Sequence, residues 1–464
     1  MLYIKKETDM LHGPIFRGLT WFALPLIATN LLQLLFNTAD VMVIGRFGTG
    51  ANALAAVGVS SATAATYVNF IINFAAGATV VAGTALGAQN SVRLRQTIHA
   101  AMGFALMGGF VMMALMAVTM KPLLTLLQTP PEVFDEALRY LWFYLPSVPA
   151  CALYNFGAAL LRAKGDTQRP FCILTASGIV NVLLNLFFVL VLKMNVAGVA
   201  LATTISFYLS AAALIYLLCH EKDDFHLDLR SLTIHSSTLP ALINIGLTNA
   251  LQGSLFHASN LVVQGAINSF GAAAIAGNTA SANIGGYLWT CMQGFALASM
   301  SFAAQNTGAK NYPRVWQVCW RAMFAAFAIG LFLGLICVAF GRDLLGLYTT
   351  DTEAIQAGLH RLHFICGFYA ICGVMDTAAY TIRGMGYPVL PTIVSIAGVL
   401  GIRLAWIFTL FRLPRFHSLF WLYMTYPVSW TITLAVHMIV LAFLLRRKIR
   451  QQPLPSGKNV TGLP

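Results

Sequence analysis

The sequence predicts an all-α polytopic membrane protein: twelve transmembrane helices in two pseudo-symmetric six-helix lobes around a central cavity. Three observations predict it. Of 464 residues, 58% are hydrophobic and only 9% charged, against about 25% charged in soluble domains. Apolar runs recur along the whole chain, each long enough to cross a bilayer at about 20 residues per crossing. Motifs recur at a constant offset, so the second half repeats the first.

Open sheets cannot span lipid, because every backbone polar group must be satisfied within the span. The apolar runs are also too long and too continuous for barrel strands. They lie near 15–45, 53–84, 95–119, 134–160, 170–192, 196–219, 239–267, 273–304, 315–340, 354–382, 388–411 and 416–445. Met1 to Thr20, ahead of the first run, is polar and basic and shows no cleavable-signal pattern, so the first span stays in the membrane. The polar stretch from Glu221 to Arg230 falls near the midpoint and reads as a linker. The expected organisation is an N-terminal lobe (1–220), a cytoplasmic linker (221–238), a C-terminal lobe (239–447) and a disordered cytoplasmic tail (448–464).

An even number of spans puts both termini on one side. Most of the 28 Lys and Arg fall in the loops of that side, so the positive-inside rule places both termini in the cytoplasm. The net charge of +13 is therefore a topological signal. It is not a nucleic-acid surface, since no basic stripe with interleaved aromatics occurs. The eight cysteines stand singly without CxxC spacing, which predicts neither a disulfide framework nor a metal site.

The repeat rests on four motif pairs. Phe36-Asn-Thr-Ala-Asp40 answers Phe256-His-Ala-Ser-Asn260 at an offset of 220. Leu86-Gly-Ala-Gln-Asn90 answers Thr307-Gly-Ala-Lys-Asn311 at 221, and Thr129-Pro-Pro-Glu132 answers Thr350-Asp-Thr-Glu353 at the same offset. Arg162-Ala-Lys-Gly165 answers Arg383-Gly-Met-Gly386, again at 221. With six spans in each half, the repeat keeps its direction across the membrane, and such repeats usually enclose a central site.

Two of the fifteen acids stand inside spans, Asp40 in the first and Asp376 in the tenth. A charge at the bilayer centre costs at least about 2.5–3.5 kcal/mol, so it points to a wet cavity or to ion handling. Under the repeat Asp40 matches Asn260 and Asp376 matches Asn155. Gln33 and Asn37 precede Asp40 on neighbouring turns. With Asn155, Gln252, Asn260, Asp376 and Arg403 they are the candidate cavity residues. Asp376 has an alternative reading, as a partner of Arg403 or the cap of a broken helix. A carboxylate held out of water can take and release protons near neutral pH. Ringed by amide and hydroxyl oxygens, it can instead hold sodium. Asn181 and Asn185, spaced i, i+4 on one helix face, and Thr203 in the next span are the candidates for that ring. The same three side chains also suit plain hydrogen bonding between helices. Arg162 and Arg383, at matched ends of spans four and ten, are expected to serve assembly and orientation and not cargo. No Walker loop, HExxH or GxSxG occurs, so neither catalytic residues nor a resident cofactor is expected.

Leu24-Pro25, Asn37 to Asp40 with Gly45, Leu54 to Gly58, Thr129 to Glu132 and Leu161 to Thr167 carry a family resemblance. So do Asn181 to Asn185, Val196 to Thr203, Arg383 to Gly386 and Tyr426 to Trp430. In this order, over almost the whole chain, they resemble the bacterial multidrug and toxic compound extrusion (MATE) transporters. The resemblance implies a V-shaped pair of lobes that exports organic cations or other amphipathic xenobiotics, driven by inward flow of protons or sodium. It further implies a monomer in the bacterial cytoplasmic (inner) membrane, with Asp40 as the coupling acid. Two departures matter. Asn185 stands where many members have Asp, which weakens a sodium site, and Gln252 stands where some have an acid. With Asp40 the single acid inside a span of its lobe, protons are the expected coupling ion. A lipid-linked-intermediate flippase is the alternative. It would show several cationic residues inside its cavity, and only Arg403 qualifies. A membrane-embedded enzyme lacks any nucleophile–base set.

Overall fold

The computed structural model describes residues 7–48, 51–232 and 237–451. The expected tail beyond Gln451 and the first six residues lie outside the described residues. No strand occurs among them, and the helices follow the apolar runs closely. In the first half they are α1 (Ile15–Phe47), α2 (Ala51–Gly87), α3 (Ser91–Leu126), α4 (Pro131–Tyr144), α5 (Ser147–Lys164), α6 (Gln168–Leu186) and α7 (Val196–Cys219). In the second half come α8 (Leu239–Ile267), α9 (Ala272–Gly308), α10 (Tyr312–Ala339), the short α11 (Gly341–Gly346), α12 (Thr352–Gly384), α13 (Val389–Ser395), α14 (Ile402–Phe408) and α15 (Leu419–Arg450).

Nine helices among the described residues are long and apolar enough to cross a membrane. The other three expected crossings depart for visible reasons. The fourth is broken at Pro146 into α4 and α5, because proline cannot donate to the ladder. α8 and α9 have the length but carry Asn249, Gln252, Asn260, Gln264, Asn278 and Gln293, which line an internal cavity. Spans five and eleven share another feature. A π-helical turn, Phe187–Val191, extends α6, and a second, Ile396–Gly401, joins α13 to α14. Such turns widen a helix locally and recur near functional side chains; here they adjoin Asn185 and precede Arg403. Large apolar side chains such as Phe110, Val118, Leu183 and Phe332 are exposed, as a lipid-facing belt requires.

The repeated motifs have a local physical cause. Asn90 and Asn311 cap the N-termini of α3 and α10, accepting from Arg93 N at 2.9 Å and Arg314 N at 3.3 Å. Such caps satisfy backbone donors that a helix start leaves open. The residues before them, Gln89 and Lys310, take left-handed φ of 52° and 57°. Gly165 and Gly386, at φ of 106° and 85°, end the helices that carry Arg162 and Arg383, and glycine tolerates this region without steric cost. Three of the four motif pairs are thus helix terminators and starters; the pair Phe36–Asp40 and Phe256–Asn260 lies within α1 and α8.

The two halves meet at the end that carries the N-terminus. Phe22 of α1 packs edge-on against Phe302 of α9, with ring centroids 5.9 Å apart. Asn249 of α8 donates to Asn73 O at 2.7 Å, and Gln305 of α9 donates to Ala163 O at 2.7 Å. The N-terminal segment straps the two lobes together there. Thr8 N donates to Gly165 O at 3.1 Å, while Asn306 and Arg314 reach Met10 O at 3.0 and 3.2 Å. The lobes are closed at the terminal end.

The same closed end holds a buried charge cluster. Glu221, whose side chain is 5% exposed, accepts from Lys164 at 2.5 Å and also from Arg169. Phe225 and Leu227 beyond it are buried in the N-lobe core. Burial alone pushes the Glu221 carboxyl up. The hydrogen bonds and charges of Lys164 and Arg169 outweigh it and hold the group below the ordinary 4.5. A carboxyl depressed in the folded state stabilises above its unfolded pKa, and that contribution is lost as pH falls through the folded value. Glu221→Gln is expected to cost about 1.5–3 kcal/mol at neutral pH, the scale for hydrogen bonds to charged groups, since Lys164 keeps Glu7 and Asp223 and Arg169 keeps Asp166. The gap to wild type should close below the ordinary carboxylate range. Unfolding midpoints in detergent across a pH series check both.

Candidate functional site

Two polar centres lie inside the bundle, one in each lobe. In the N-lobe, Asp40 is buried on the last turns of α1 at 6% exposure. Asn185 of α6 donates to its Oδ1 at 2.5 Å. Asn181 stands one turn earlier on the same face. With its amide nitrogen turned to the carboxylate, it donates to Asp40 Oδ1 at 3.2 Å and its oxygen accepts from Thr203 Oγ1 of α7 at 3.2 Å. The orientation follows from the hydrogen-bond network: it serves both Asp40 and Thr203, whereas the reverse turns the Asn181 nitrogen away from the carboxylate and leaves its oxygen only a 3.3 Å bond from Asn185. Tyr140 of α4 is buried and lies within electrostatic reach of Asp40. The i, i+4 spacing of Asn181 and Asn185 therefore delivers what it predicts: two amides on one carboxylate, closed from the far side by Thr203. Three helices supply the cluster, so it reports on how α1 sits against α6 and α7.

The second centre is a cavity of about 400 Å³ between α2 and the C-lobe helices. Asn69 and Asn73 line it from α2, Gln252, Asn260 and Gln264 from α8, and Asn278, Trp289 and Gln293 from α9. Arg361, Tyr369, Asp376, Tyr380 and Arg383 come from α12, Arg403 from α14, and Tyr426 and Trp430 from α15. Its size and mixed lining are those of a small-molecule site, apolar and aromatic walls with a few placed polar groups.

Of the expected cavity residues, Gln252, Asn260, Asp376 and Arg403 line this space. Gln33, Asn37 and Asn155 do not. Asn155 turns its amide back onto Cys151 O of its own helix at 2.8 Å. Asn37 is exposed on α1 and Gln33 is half-buried there. The repeat matches positions, but the cavity is asymmetric: apart from Asn69 and Asn73 of α2, its lining comes from the C-lobe. The Asp376–Arg403 pair does not form either. Asp376 Oδ2 accepts from Trp289 Nε1 and Gln293 Nε2, both at 3.1 Å. Arg403 donates to Asn260 Oδ1 at 3.1 Å and stacks over the Tyr426 ring at 4.1 Å.

Two arginines that the sequence placed elsewhere are in the cavity. Arg383, expected to serve assembly at a helix end, is buried, donates to Gln252 and lies 4.9 Å over the Tyr380 ring. Its repeat counterpart Arg162 is only half-buried, in the last turn of α5. Arg361, not among the expected cavity residues, is buried and donates to Ser281 Oγ at 3.1 Å. The cavity thus holds three arginines where one was expected. α12 gives the missed signal: it is 33 residues long, so positions near both ends still face the interior.

A family model described as MatE matches residues 25–187 and, a second time, residues 245–409. The chain belongs to the MatE family. The double match covers one lobe at a time and coincides with the internal repeat. Among curated relatives of this MatE chain, the probable multidrug resistance protein YoeA of Bacillus subtilis is 25% identical over 94% of the chain and 95% of the relative. The probable multidrug resistance protein NorM of Thermotoga maritima is 23% identical over 82% of each. A solved structure described as the outward-facing conformation of a multidrug resistance MATE family transporter of the MOP superfamily superposes with a TM-score of 0.88. It is 18% identical and covers 96% of this chain and 99% of that one. The MatE membership bears out the resemblance read from the motifs, and the superposition bears out the twelve-helix, two-lobe fold.

Proposed function

We propose that this MatE chain is a secondary active antiporter that exports amphipathic small molecules against an inward flow of protons. It acts as a single chain in the bacterial cytoplasmic membrane, with both termini in the cytoplasm and lobes 1–220 and 239–447 rocking about the linker 221–238. The closed end of the V then faces the cytoplasm. The relatives named as multidrug resistance proteins support export of foreign compounds.

One observation carries the coupling. Asp40 is buried with neutral donors on it, Asn185 and Asn181, the latter backed by Thr203, and the helices that build its cluster, α1, α6 and α7, contribute nothing to the cavity lining. Ion and cargo therefore occupy different sites, and each biases the same rocking equilibrium by its differential affinity for the two states. The charge count favours protons. A sodium site needs several oxygens and enough negative charge to offset dehydration, and here one carboxylate is joined by amides and a hydroxyl. In everted vesicles, an imposed pH gradient in sodium-free buffer should drive uptake of a fluorescent amphiphile. Uptake that stays absent until sodium is supplied would overturn the reading.

Asn185→Asp adds a second carboxylate at contact distance from the first. Transport by that variant should become strongly sodium-stimulated, by tenfold or more on the scale of about 1.4 kcal/mol per decade. Comparing uptake rates with and without sodium checks this, and an unchanged ion preference would remove α6 from the ion site.

A further inference from the structure

The two lobes carry equivalent centres of opposite charge. The N-lobe centre is built on Asp40, and the repeat puts Asn260 in its place in the C-lobe. Tyr140, beside Asp40, is answered at the offset of 221 by Arg361. Span five contributes Asn181 and Asn185 to the first centre, and span eleven contributes Arg403 to the second. One carboxylate among amides has become two guanidinium groups beside an amide.

Among the described residues these guanidinium groups have no counter-ion: neither Arg361 nor Arg403 makes an ion pair, although they are only 7% and 2% exposed. Arg403 has Asn260, Ser259 and Ser429 as hydrogen-bond partners, all neutral. Arg361 bonds neutral Ser281 and leaves its buried Nε without a partner. The two lie within reach of mutual repulsion. Asp376, the one acid lining the cavity, is engaged by Trp289 and Gln293 and stands two helical turns from Arg383, whose charge acts on it. Arginine does not shed its proton in proteins. Like charges held out of water without a partner are strongly unfavourable, and an anion seated between them removes that penalty. Around them Tyr369, Tyr426 and Trp430 form a run of rings, with centroids 5.4 and 5.6 Å apart.

We propose that the C-lobe cavity binds an aromatic amphiphile bearing a carboxylate or phosphate, with Arg361 and Arg403 holding the anion and Tyr426 and Trp430 flanking the ring. This rests on the reading of the cavity as the cargo site, and it reverses the charge expected of that cargo from the family resemblance. Guanidinium groups suit the role because their fork matches carboxylate and phosphate geometry.

The test is equilibrium binding to the purified full-length protein in nanodiscs, at one fixed pH and without any gradient, so that no ion flux contributes and the ion-site occupancy is the same for every ligand. Carboxyfluorescein and rhodamine 123 share a xanthene ring system and carry opposite charge; undecaprenyl phosphate supplies the same anion on a lipid. Anisotropy should show carboxyfluorescein bound at least tenfold more tightly than rhodamine 123. Arg361→Gln and Arg403→Gln should each weaken it tenfold or more, while Arg403→Lys, which keeps the charge, should restore part of the loss. Tighter binding of rhodamine 123, or carboxyfluorescein affinity unchanged in folded Gln variants, would overturn the proposal. Undecaprenyl phosphate bound in an arginine-dependent way, with carboxyfluorescein excluded, would overturn the aromatic ligand in favour of a lipid one. Arginine-dependent carboxyfluorescein binding by a protein that never moves it in vesicles would support the anion site and sink only its use for cargo.

Discussion

Asp40→Asn is expected to reduce gradient-driven transport to background while the protein inserts and folds as wild type does. Asparagine is isosteric with aspartate, so the space between α1, α6 and α7 stays filled. The Asn185 amide that donates to Asp40 Oδ1 at 2.5 Å still finds an oxygen. What the substitution removes is the titrating charge. In the antiport cycle a deprotonated and a protonated Asp40 favour different arrangements of the N-lobe helices, and a ligand moves an equilibrium only by its differential affinity for the two states. A permanently neutral side chain offers no such difference. Uptake rates in everted vesicles, with expression and detergent-extracted unfolding midpoints as controls, check the result. Near-normal transport by a well-expressed variant would remove Asp40 from the coupling.

The second large effect is expected at the closed end of the V. Gly87 and Gly308 are repeat partners, and so are Thr84 and Gln305. A Cβ on Gly87 would strike the backbone of Gln305, and one on Gly308 would strike the backbone of Thr84. The C-terminal turns of α2 and α9 therefore cross about the pseudo-symmetry axis at backbone contact, as small residues permit between membrane helices. Gly308→Val should force the crossing apart. Overpacking costs about 1–3 kcal/mol, and about 3 kcal/mol is roughly a hundredfold in a two-state ratio. The variant should lose the form closed at this end, with transport falling accordingly. Spin labels at exposed Arg93 and Arg321 should then show a longer separation than in wild type. An unchanged distance distribution with normal transport would mean that the crossing does not hold the lobes shut.

Much of this was legible because it is local. Helix length follows from apolar run length, and the repeat shows through Asn90, Asn311, Gly165 and Gly386, whose caps and left-handed turns demand particular residue types. The Asp40 cluster was legible for the same reason: Asn181 and Asn185 share a helix face whatever surrounds them. The cavity was only partly legible, since it depends on how helices rotate about their axes. A helix of 33 residues rises about 50 Å, well beyond an apolar core of about 30 Å. Arg361 and Arg383 therefore look like loop flanks in the sequence, whereas their long side chains turn inward. Asn155, Asn37 and Gln33 show the converse. Pseudo-symmetry gave them matched places, and the divergence of the lobes gave them other surroundings.

The central claim is that proton flow through Asp40 is exchanged for cargo. Its most direct test is proton movement itself, in sodium-free proteoliposomes of the purified protein loaded with a pH indicator. Adding a transported amphiphile to one side should shift the internal pH in wild-type vesicles and leave it unchanged in Asp40→Asn vesicles. Cargo moving through wild-type protein with no pH shift, or an equal shift through Asp40→Asn, would contradict the account.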